Sequence, residues 1–276
     1  MIRFGFIGFG SMSSMLIKGL INQGGINQSE IIVTRKDTSR LQEIKDLWTQ
    51  INLASDAATV AQNANYIFIC VKPSEFKDIL EEIKEALLPE SHIISIAGAL
   101  SIKDINKIVS CKITKFLPTV IAEVNEGISL ICHNNKVSAM DKAYIETLLG
   151  SFTVIRRTPE EQVEIATIFT SCGPGLYAAI LDEFVEAGLR YCDCFTREEI
   201  SRMIEQSVAG TVKLVQGSDF SSVVQRVATK GGLTEEGVKV IRAGLPSVFD
   251  NMLLQMRDKQ KLMSEEIHSR YIDSDG

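Results

Sequence analysis

A chain of 276 residues, 45% hydrophobic and 23% charged, has the length of one large or two medium domains and the make-up of a soluble globular protein. Its net charge of −6 argues against nucleic acid as a partner, because binding to phosphate backbones needs a basic surface. No apolar run reaches the roughly 18 residues of a membrane span, and MIRFGFIGFG lacks the flanks of a signal peptide, so a cytoplasmic location without a membrane partner is expected.

In chain order, Arg3 to Gly8 reads as a strand, and Ser11 to Asn22 carries Met12, Met15, Leu16, Gly19 and Leu20 at helical spacing. Further strand-like runs are 31–34, 66–71, 92–96, 113–117, 127–132 and 153–155. Strands alternating with helical patterns predict a mostly parallel sheet covered on both faces. The pattern changes at Arg156-Arg157-Thr158-Pro159-Glu160-Glu161. There Thr158 reads as an N-cap, Pro159 as the first helical residue and Glu161 as the partner in a capping box. Thr196 with Glu199 repeats that signal. From here only helices are predicted, over 159–191, 197–216, 235–245 and 247–270, with a frayed tail at 273–276. The expected architecture is a Rossmann-type α/β domain over 1–157 followed by an all-α domain over 158–276.

The six cysteines (Cys70, Cys111, Cys132, Cys172, Cys192, Cys194) show no C-x-x-C spacing, and Cys192-x-Cys194 is too isolated for zinc. Buried free thiols in a reducing compartment and no metal site are expected. His92, His133 and His268 read as structural or surface residues.

Two glycine turns carry the chemistry. Gly8-Phe9-Gly10-Ser11-Met12-Ser13 follows the first strand and opens the first helix. In such a turn the first glycine allows the tight bend, and the second lets bare backbone approach a pyrophosphate. Ser13 stands where a third glycine or alanine packs helix against strand, a change expected to loosen that packing. The second strand ends in Thr34-Arg35-Lys36, with Ser39 close behind, where an NAD site would place an acidic residue. These cations and hydroxyls suit a 2′-phosphate and favour NADPH, with NADH as the alternative; Arg35 and Lys36 read otherwise as solvated loop charges, and Asp37 lies among them. Cys70-Val71-Lys72-Pro73 closes another strand at the crevice end of the sheet, and Lys72 reads equally as a ligand of cofactor phosphate or substrate, or as a surface lysine.

The second turn is Thr229-Lys230-Gly231-Gly232-Leu233-Thr234-Glu235-Glu236-Gly237. Paired glycines free the backbone and Thr234 reads as a helix N-cap; the segment by itself reads as an ordinary Gly-Gly turn before a capped helix, or as a site where free amides at the helix start hold a small anion.

Taken together these segments resemble the pyrroline-5-carboxylate reductase family. The resemblance runs over nearly the whole chain: GFIGFGSM, Val71-Lys72-Pro73, the SIAGALS run at 95–101, Lys115-Phe116-Leu117-Pro118, Ser171-Cys172-Gly173-Pro174-Gly175 and ATKGGLTEEG at 228–237. The resemblance implies reduction of 1-pyrroline-5-carboxylate to proline with NADPH or NADH, and a helical domain interlocked with that of a second subunit as a homodimer or higher oligomer. By position, Gly231, Gly232, Leu233 and Thr234 would hold the carboxylate of a cyclic imine with backbone amides, with Thr229 beside them. The Thr234 hydroxyl would sit near the ring nitrogen as the catalytic group. Gly173 and Pro174 would shape the long interface helix. Gly8, Gly10, Ser11, Met12, Thr34, Arg35, Lys36, Val71, Lys72, Pro73, Ala97 and Thr119 fall on the cofactor side.

Three places depart from the family pattern. Lys115, Thr119 and Ile121 replace its arginine, asparagine and proline; Ser171-Cys172-Gly173-Pro174-Gly175 replaces Ser-Gly-Ser-Gly-Pro-Ala; and Lys230 replaces a proline. The changes resemble a divergent late-competence branch, so a nucleotide-binding regulator, or an enzyme with another cyclic imine, is the rival expectation. A 3-hydroxyacid dehydrogenase, similar in plan, would need a catalytic lysine on the long helix, and none stands between Phe169 and Arg190.

Overall fold

The computed structural model describes residues 3–272, so the tail at 273–276 lies outside the described residues. Alternation of strand and helix builds β1 (Phe4–Ile7), α1 (Ser11–Asn22), β2 (Ile31–Thr34), α2 (Gln42–Leu47), β3 (Asn52–Leu53), α3 (Ala57–Asn63), β4 (Tyr66–Ile69), α4 (Phe76–Ile83), β5 (His92–Ser95), α5 (Ile102–Ile108), β6 (Lys112–Leu117), β7 (Ile128–His133), α6 (Ala139–Leu149) and β8 (Val154–Arg157). Among the described residues only helices follow: α7 (Glu160–Phe169), α8 (Gly173–Tyr191), α9 (Arg197–Val215), α10 (Phe220–Val227) and α11 (Leu233–Ile272). The sheet order is β3-β2-β1-β4-β5-β6-β7-β8, parallel throughout except that β7 runs against β6. The chain reverses its direction of travel across the sheet between β1 and β4, which opens a crevice at the carboxyl ends of those strands.

Strand side chains alternate between two cores, as the pleat requires. Phe4, Phe6, Ile31, Val33, Phe68 and Ile94 pack under α1 and α6, with Phe6 and Phe68 stacked 4.7 Å apart. Ile7, Ile32, Ile67, Ile69, Ile93 and Ile113 pack on the other face with Phe76, Leu80 and Ile105. The far end of α11 completes this second core through Ile267 and Tyr271. His268 Nδ1 lies 3.0 Å from Asp104 Oδ1, and Arg270 donates to the Ser74 carbonyl at 3.1 Å.

By compactness the chain divides into Met1–Pro174 with Lys259–Gly276, and Gly175–Asp258. The sheet ends at Arg157, where the change of sequence pattern falls. Compactness divides elsewhere because α7 and the last turns of α11 pack with the sheet; Val163, for example, shares a cluster with Leu117 and Leu130.

Several helix expectations are corrected. The segment 159–191 breaks into α7 and α8 because Pro174 has no amide to continue the helix. The Thr170 carbonyl, which that amide would have served, accepts from the Thr119 hydroxyl at 3.2 Å. Thr158 does not cap α7: Pro159 holds the cap position, and the Thr158 hydroxyl donates to Arg156 O at 3.3 Å. The Thr196–Glu199 capping box forms as expected. The segments 235–245 and 247–270 fuse into α11, which continues through Pro246. One stretch, Glu160–Tyr191, has the length and mean hydropathy, 1.3, that a span needs by composition alone, which corrects the expectation that no run does; it is broken at Thr170–Cys172. Cys192 and Cys194 are bonded to each other across the α8–α9 turn with Cα atoms 5.4 Å apart, so they are not free thiols, and Cys172 is exposed rather than buried.

A buried polar chain crosses the sheet. Glu146 accepts from Arg157 Nε at 2.7 Å and faces His133 Nε2 at 3.0 Å, so that ring nitrogen carries the proton. Thr114 then donates to His133 Nδ1 at 2.8 Å and accepts from His92 Nε2 at 2.6 Å. His92 Nδ1 is left as a bare buried acceptor. Burial pushes the pKa of His92 down to about 4 and that of His133 down as well. An unfolded histidine takes up a proton near pH 6.5, whereas folded His92 resists until about pH 4. Its contribution is therefore full above 6.5 and is lost as pH falls toward 4, amounting to roughly 3 kcal/mol. His92→Phe should flatten the loss of Tm between pH 6.5 and 4.5; an unchanged slope in calorimetry would assign acid sensitivity elsewhere.

Candidate active site

At the head of α1 the chain turns at Gly8, whose φ is +94° and whose amide donates to Thr34 O at 3.0 Å. A Cβ here would lie 2.7 Å from the Cys70 carbonyl oxygen, so the close approach of β1 and β4 requires glycine. Gly10 differs: its φ of −147° is open to any residue, and a Cβ would meet nothing within 4 Å. Its bare backbone faces open space, a cradle that a side chain would fill. Ser13 is buried, and its hydroxyl accepts from the Gly10 amide at 2.8 Å and donates to the Gly10 carbonyl at 3.2 Å. Instead of loosening the packing, as expected from sequence, it fastens the turn. The first amides of α1 beyond Gly10 point out of the helix end without intrahelical acceptors and suit an anion.

One cleft of about 660 Å³ lies along these strand ends, and among its lining are Gly8, Gly10, Thr34, Arg35, Val71 and Lys72. Lys36 lines it too, with Asp37, Asp56 and Glu75. Pro73 follows at the start of a short 3-10 turn, and Ser11 and Met12 begin α1. Thr34 is buried at the end of β2. Sequence reading missed the acidic wall of Asp56, Asp78 and Glu82, because those carboxylates come from α3 and α4, far from any glycine signal. The Cys70 thiol at the cleft is pushed well up by burial, and Cys111 and Cys132 are pushed up to about 11, so none of the three is a thiolate near neutral pH.

Ala97 and Thr119 do not line that cleft. Ala97 is 6% exposed in the loop after β5, and Thr119 is 1% exposed, its hydroxyl committed to Thr170 O. The neighbouring Ser171 hydroxyl donates to Pro118 O at 3.0 Å, which ties the 118–119 and 170–171 segments together. Behind them sits Lys115, 3% exposed, with Nζ 3.3 Å from Glu160 Oε1 and 3.1 Å from Gly98 O. The same Glu160 oxygen accepts from the Ile102 amide at 2.8 Å. Lys115 thereby holds the loop that carries Ala97. Lys115 is buried and Glu160 is about one-third exposed, so removing the carboxylate strands a buried ammonium. Glu160→Ala is expected to cost on the order of 3 kcal/mol in thermal or urea unfolding, and adding Lys115→Met should recover part of it. A double variant worse than the sum of the singles would overturn this account.

The second glycine turn precedes α11 in the helical unit. Gly231 has φ +76°, and a Cβ on Gly232 would lie 2.7 Å from Thr229 Oγ1, so both glycines are demanded by geometry. Thr234 is not the N-cap expected from sequence: α11 begins at Leu233, which puts Thr234 at the second helical position with an exposed side chain. The backbone closes one residue pair earlier, because Gly232 donates to Thr229 O at 2.9 Å and the Glu235 carboxylate reaches back to the Gly231 amide at 2.8 Å. Of the four residues expected to offer amides, Gly231 and Gly232 are thus engaged within the turn. Leu233 and Thr234 are left at the helix start, where amides lack intrahelical acceptors. Among the described residues no cluster of three or more His, Cys, Asp or Glu could hold a metal.

Residues 3–98 match the family model described as NADP oxidoreductase coenzyme F420-dependent, and residues 160–263 match that described as pyrroline-5-carboxylate reductase dimerisation. Pyrroline-5-carboxylate reductase 3 of Bacillus subtilis is 29% identical over 97% of this chain and 98% of its own length. ComE operon protein 4 of the same organism is 22% identical over 97% of this chain and 100% of its own. The crystal structure of Plasmodium falciparum pyrroline carboxylate reductase with NADP bound superimposes with a TM-score of 0.85 at 25% identity, covering 95% of this chain and 98% of that one.

Proposed function

The chain belongs to the pyrroline-5-carboxylate reductase family, and from that premise we propose that it reduces 1-pyrroline-5-carboxylate to L-proline, as a step of proline biosynthesis, with NADPH as the preferred cofactor. At the coarser level it is an oxidoreductase acting on a CH–NH group with NAD(P), and its helical half carries a dimerisation segment. The observation that carries the reading is the Gly8–Gly10 turn at the head of a cleft whose walls are the ends of β1, β2 and β4. The bound dinucleotide supplies the hydride. The protein's share is to bind, orient and exclude water.

In this reading the Gly8–Gly10 turn and the first amides of α1 take the pyrophosphate, and Thr34, Arg35 and Lys36 take the adenosine 2′-phosphate. Val71, Lys72 and Pro73 line the cofactor's path, and Ala97 and Thr119 shape its nicotinamide end. The amides of Leu233 and Thr234, in the turn made by Thr229, Gly231 and Gly232, hold the substrate carboxylate. The Thr234 hydroxyl hydrogen-bonds at the ring nitrogen. A proton taken from solvent makes the adjacent carbon electrophilic and hydride addition then leaves the neutral ring amine, so no histidine or thiolate is required. The assembly is a homodimer or higher oligomer, and its setting is cytoplasmic. Support for self-association comes from the helical unit, where Tyr177 (56%), Phe184 (65%), Leu233 (92%) and Val240 (74%) stand exposed.

A second reading is a regulator that binds nucleotide without turnover. It is favoured by the full-length match to ComE operon protein 4 and by Thr119, Ile121 and Lys230. Oxidation of NADPH by the purified protein with 1-pyrroline-5-carboxylate, set against a panel of other cyclic imines, separates the two. Tight NADPH binding with no oxidation of any imine would sink the enzyme.

A further inference from the structure

At the end of β2, three cations stand among three carboxylates, and one of the carboxylates serves two of the cations. Arg35 Nη1 meets Glu43 Oε2 at 3.2 Å, and Arg40 Nε meets Glu43 Oε1 at 2.7 Å. Lys36 Nζ meets Glu75 Oε1 at 3.1 Å. Asp37 Oδ1 accepts from both the amide and the hydroxyl of Ser39. Arg35, Lys36 and Arg40 against Asp37, Glu43 and Glu75 leave no net charge at the place where a 2′-phosphate would be recognised.

That phosphate is the one feature separating NADPH from NADH, and it carries about two negative charges at neutral pH. To reach Arg35 it must share the guanidinium with Glu43 or displace it. The two partners are not equally fixed: the Arg35 side chain is 14% exposed and that of Glu43 is 48%. The carboxylate is the partner that yields. A single glutamate bridging two arginines occupies them as a phosphate would, and its own charge repels the incoming anion.

We propose that Glu43 tempers the preference for NADPH: it acts as an internal competitor for Arg35 and Arg40, lowering affinity for the 2′-phosphorylated cofactor while leaving NADH untouched. The inference rests on reading this cleft as the dinucleotide site. Lys36, 90% exposed and paired with a different carboxylate, is outside the contest for the two arginines.

The test uses the full-length protein and two adenine-half probes, 2′,5′-ADP and 5′-AMP, in calorimetric titrations, with NADPH and NADH titrated by nicotinamide fluorescence. Glu43→Gln is expected to tighten 2′,5′-ADP and NADPH roughly threefold to tenfold, with 5′-AMP and NADH within about twofold. The gain should shrink in high salt and vanish in an Arg35→Ala background. Unchanged or weaker 2′,5′-ADP binding, or equal tightening of 5′-AMP, overturns the proposal; weakening would mean that Glu43 aims the arginines instead of occupying them. Glu43→Asp, which keeps the charge, should stay near the parent, and a gain as large as that of Glu43→Gln also counts against it. If the parent protein binds neither NADPH nor NADH, the cofactor reading falls with it. If the parent binds NADPH and Glu43→Gln is silent, only the role of Glu43 falls.

Discussion

Gly8→Ala is expected to cost about 3–5 kcal/mol and to lower Tm by on the order of 10 °C, whereas Gly10→Ala melts like the parent yet binds NADPH at least about tenfold more weakly. The two glycines sit two residues apart in one turn and fail differently. At Gly8 a methyl group meets a positive φ of 94° and the backbone oxygen of Cys70 at 2.7 Å. Backbone on β4 cannot swing aside as a side chain would, because it is held in register between β1 and β5. At Gly10 the methyl group meets nothing within 4 Å, so the folded state bears no penalty. The space it fills is the space a pyrophosphate would use, and the loss falls on binding alone. Thermal melts with and without NADPH, alongside fluorescence titration, read both variants. A Gly10→Ala protein that binds NADPH as tightly as the parent would remove the phosphate from this turn.

Thr234→Ala is expected to lower turnover of 1-pyrroline-5-carboxylate by about 10- to 100-fold and to leave the Kd for NADPH within about twofold. The hydroxyl is exposed at the second position of α11, and the helix does not depend on it for capping. Glu235 and the Thr229 carbonyl close that end instead. Its removal therefore reports on substrate and not on the fold. Thr234→Ser should restore most of the rate. Equal losses in turnover and NADPH affinity would mean that the residue acts through the turn's shape.

Strands were legible where apolar runs were long and bounded by turn residues, as at 31–34 and 66–69. β3, two half-buried residues at Asn52–Leu53, is held by pairing with β2 and has no periodicity to read. The antiparallel turn of β7 is decided by its connection and register, which a local pattern does not encode. α10 carries a local signal in Asp219, which caps it by accepting from the Ser222 amide at 2.7 Å. Proline misled twice in opposite senses, since Pro174 breaks one helix and Pro246 is absorbed into another. At the site, glycines and β2 cations were visible because turn chemistry is local. The carboxylates that answer those cations were not, because Glu43 and Glu75 reach them from other elements.

The last turns of α11 have a consequence for biosynthesis. Ile267 and Tyr271 fill the same core as Phe76, Leu80 and Ile105, so the nucleotide-binding half lacks part of its interior until the ribosome has delivered residues 267–271. A nascent chain that has emerged only through Pro174 holds every strand of the sheet with one apolar flank still wet. Closing of that core thus waits on Ile267 and Tyr271, and a chain cut short before them would harm a pocket lined by residues between Ile7 and Glu82.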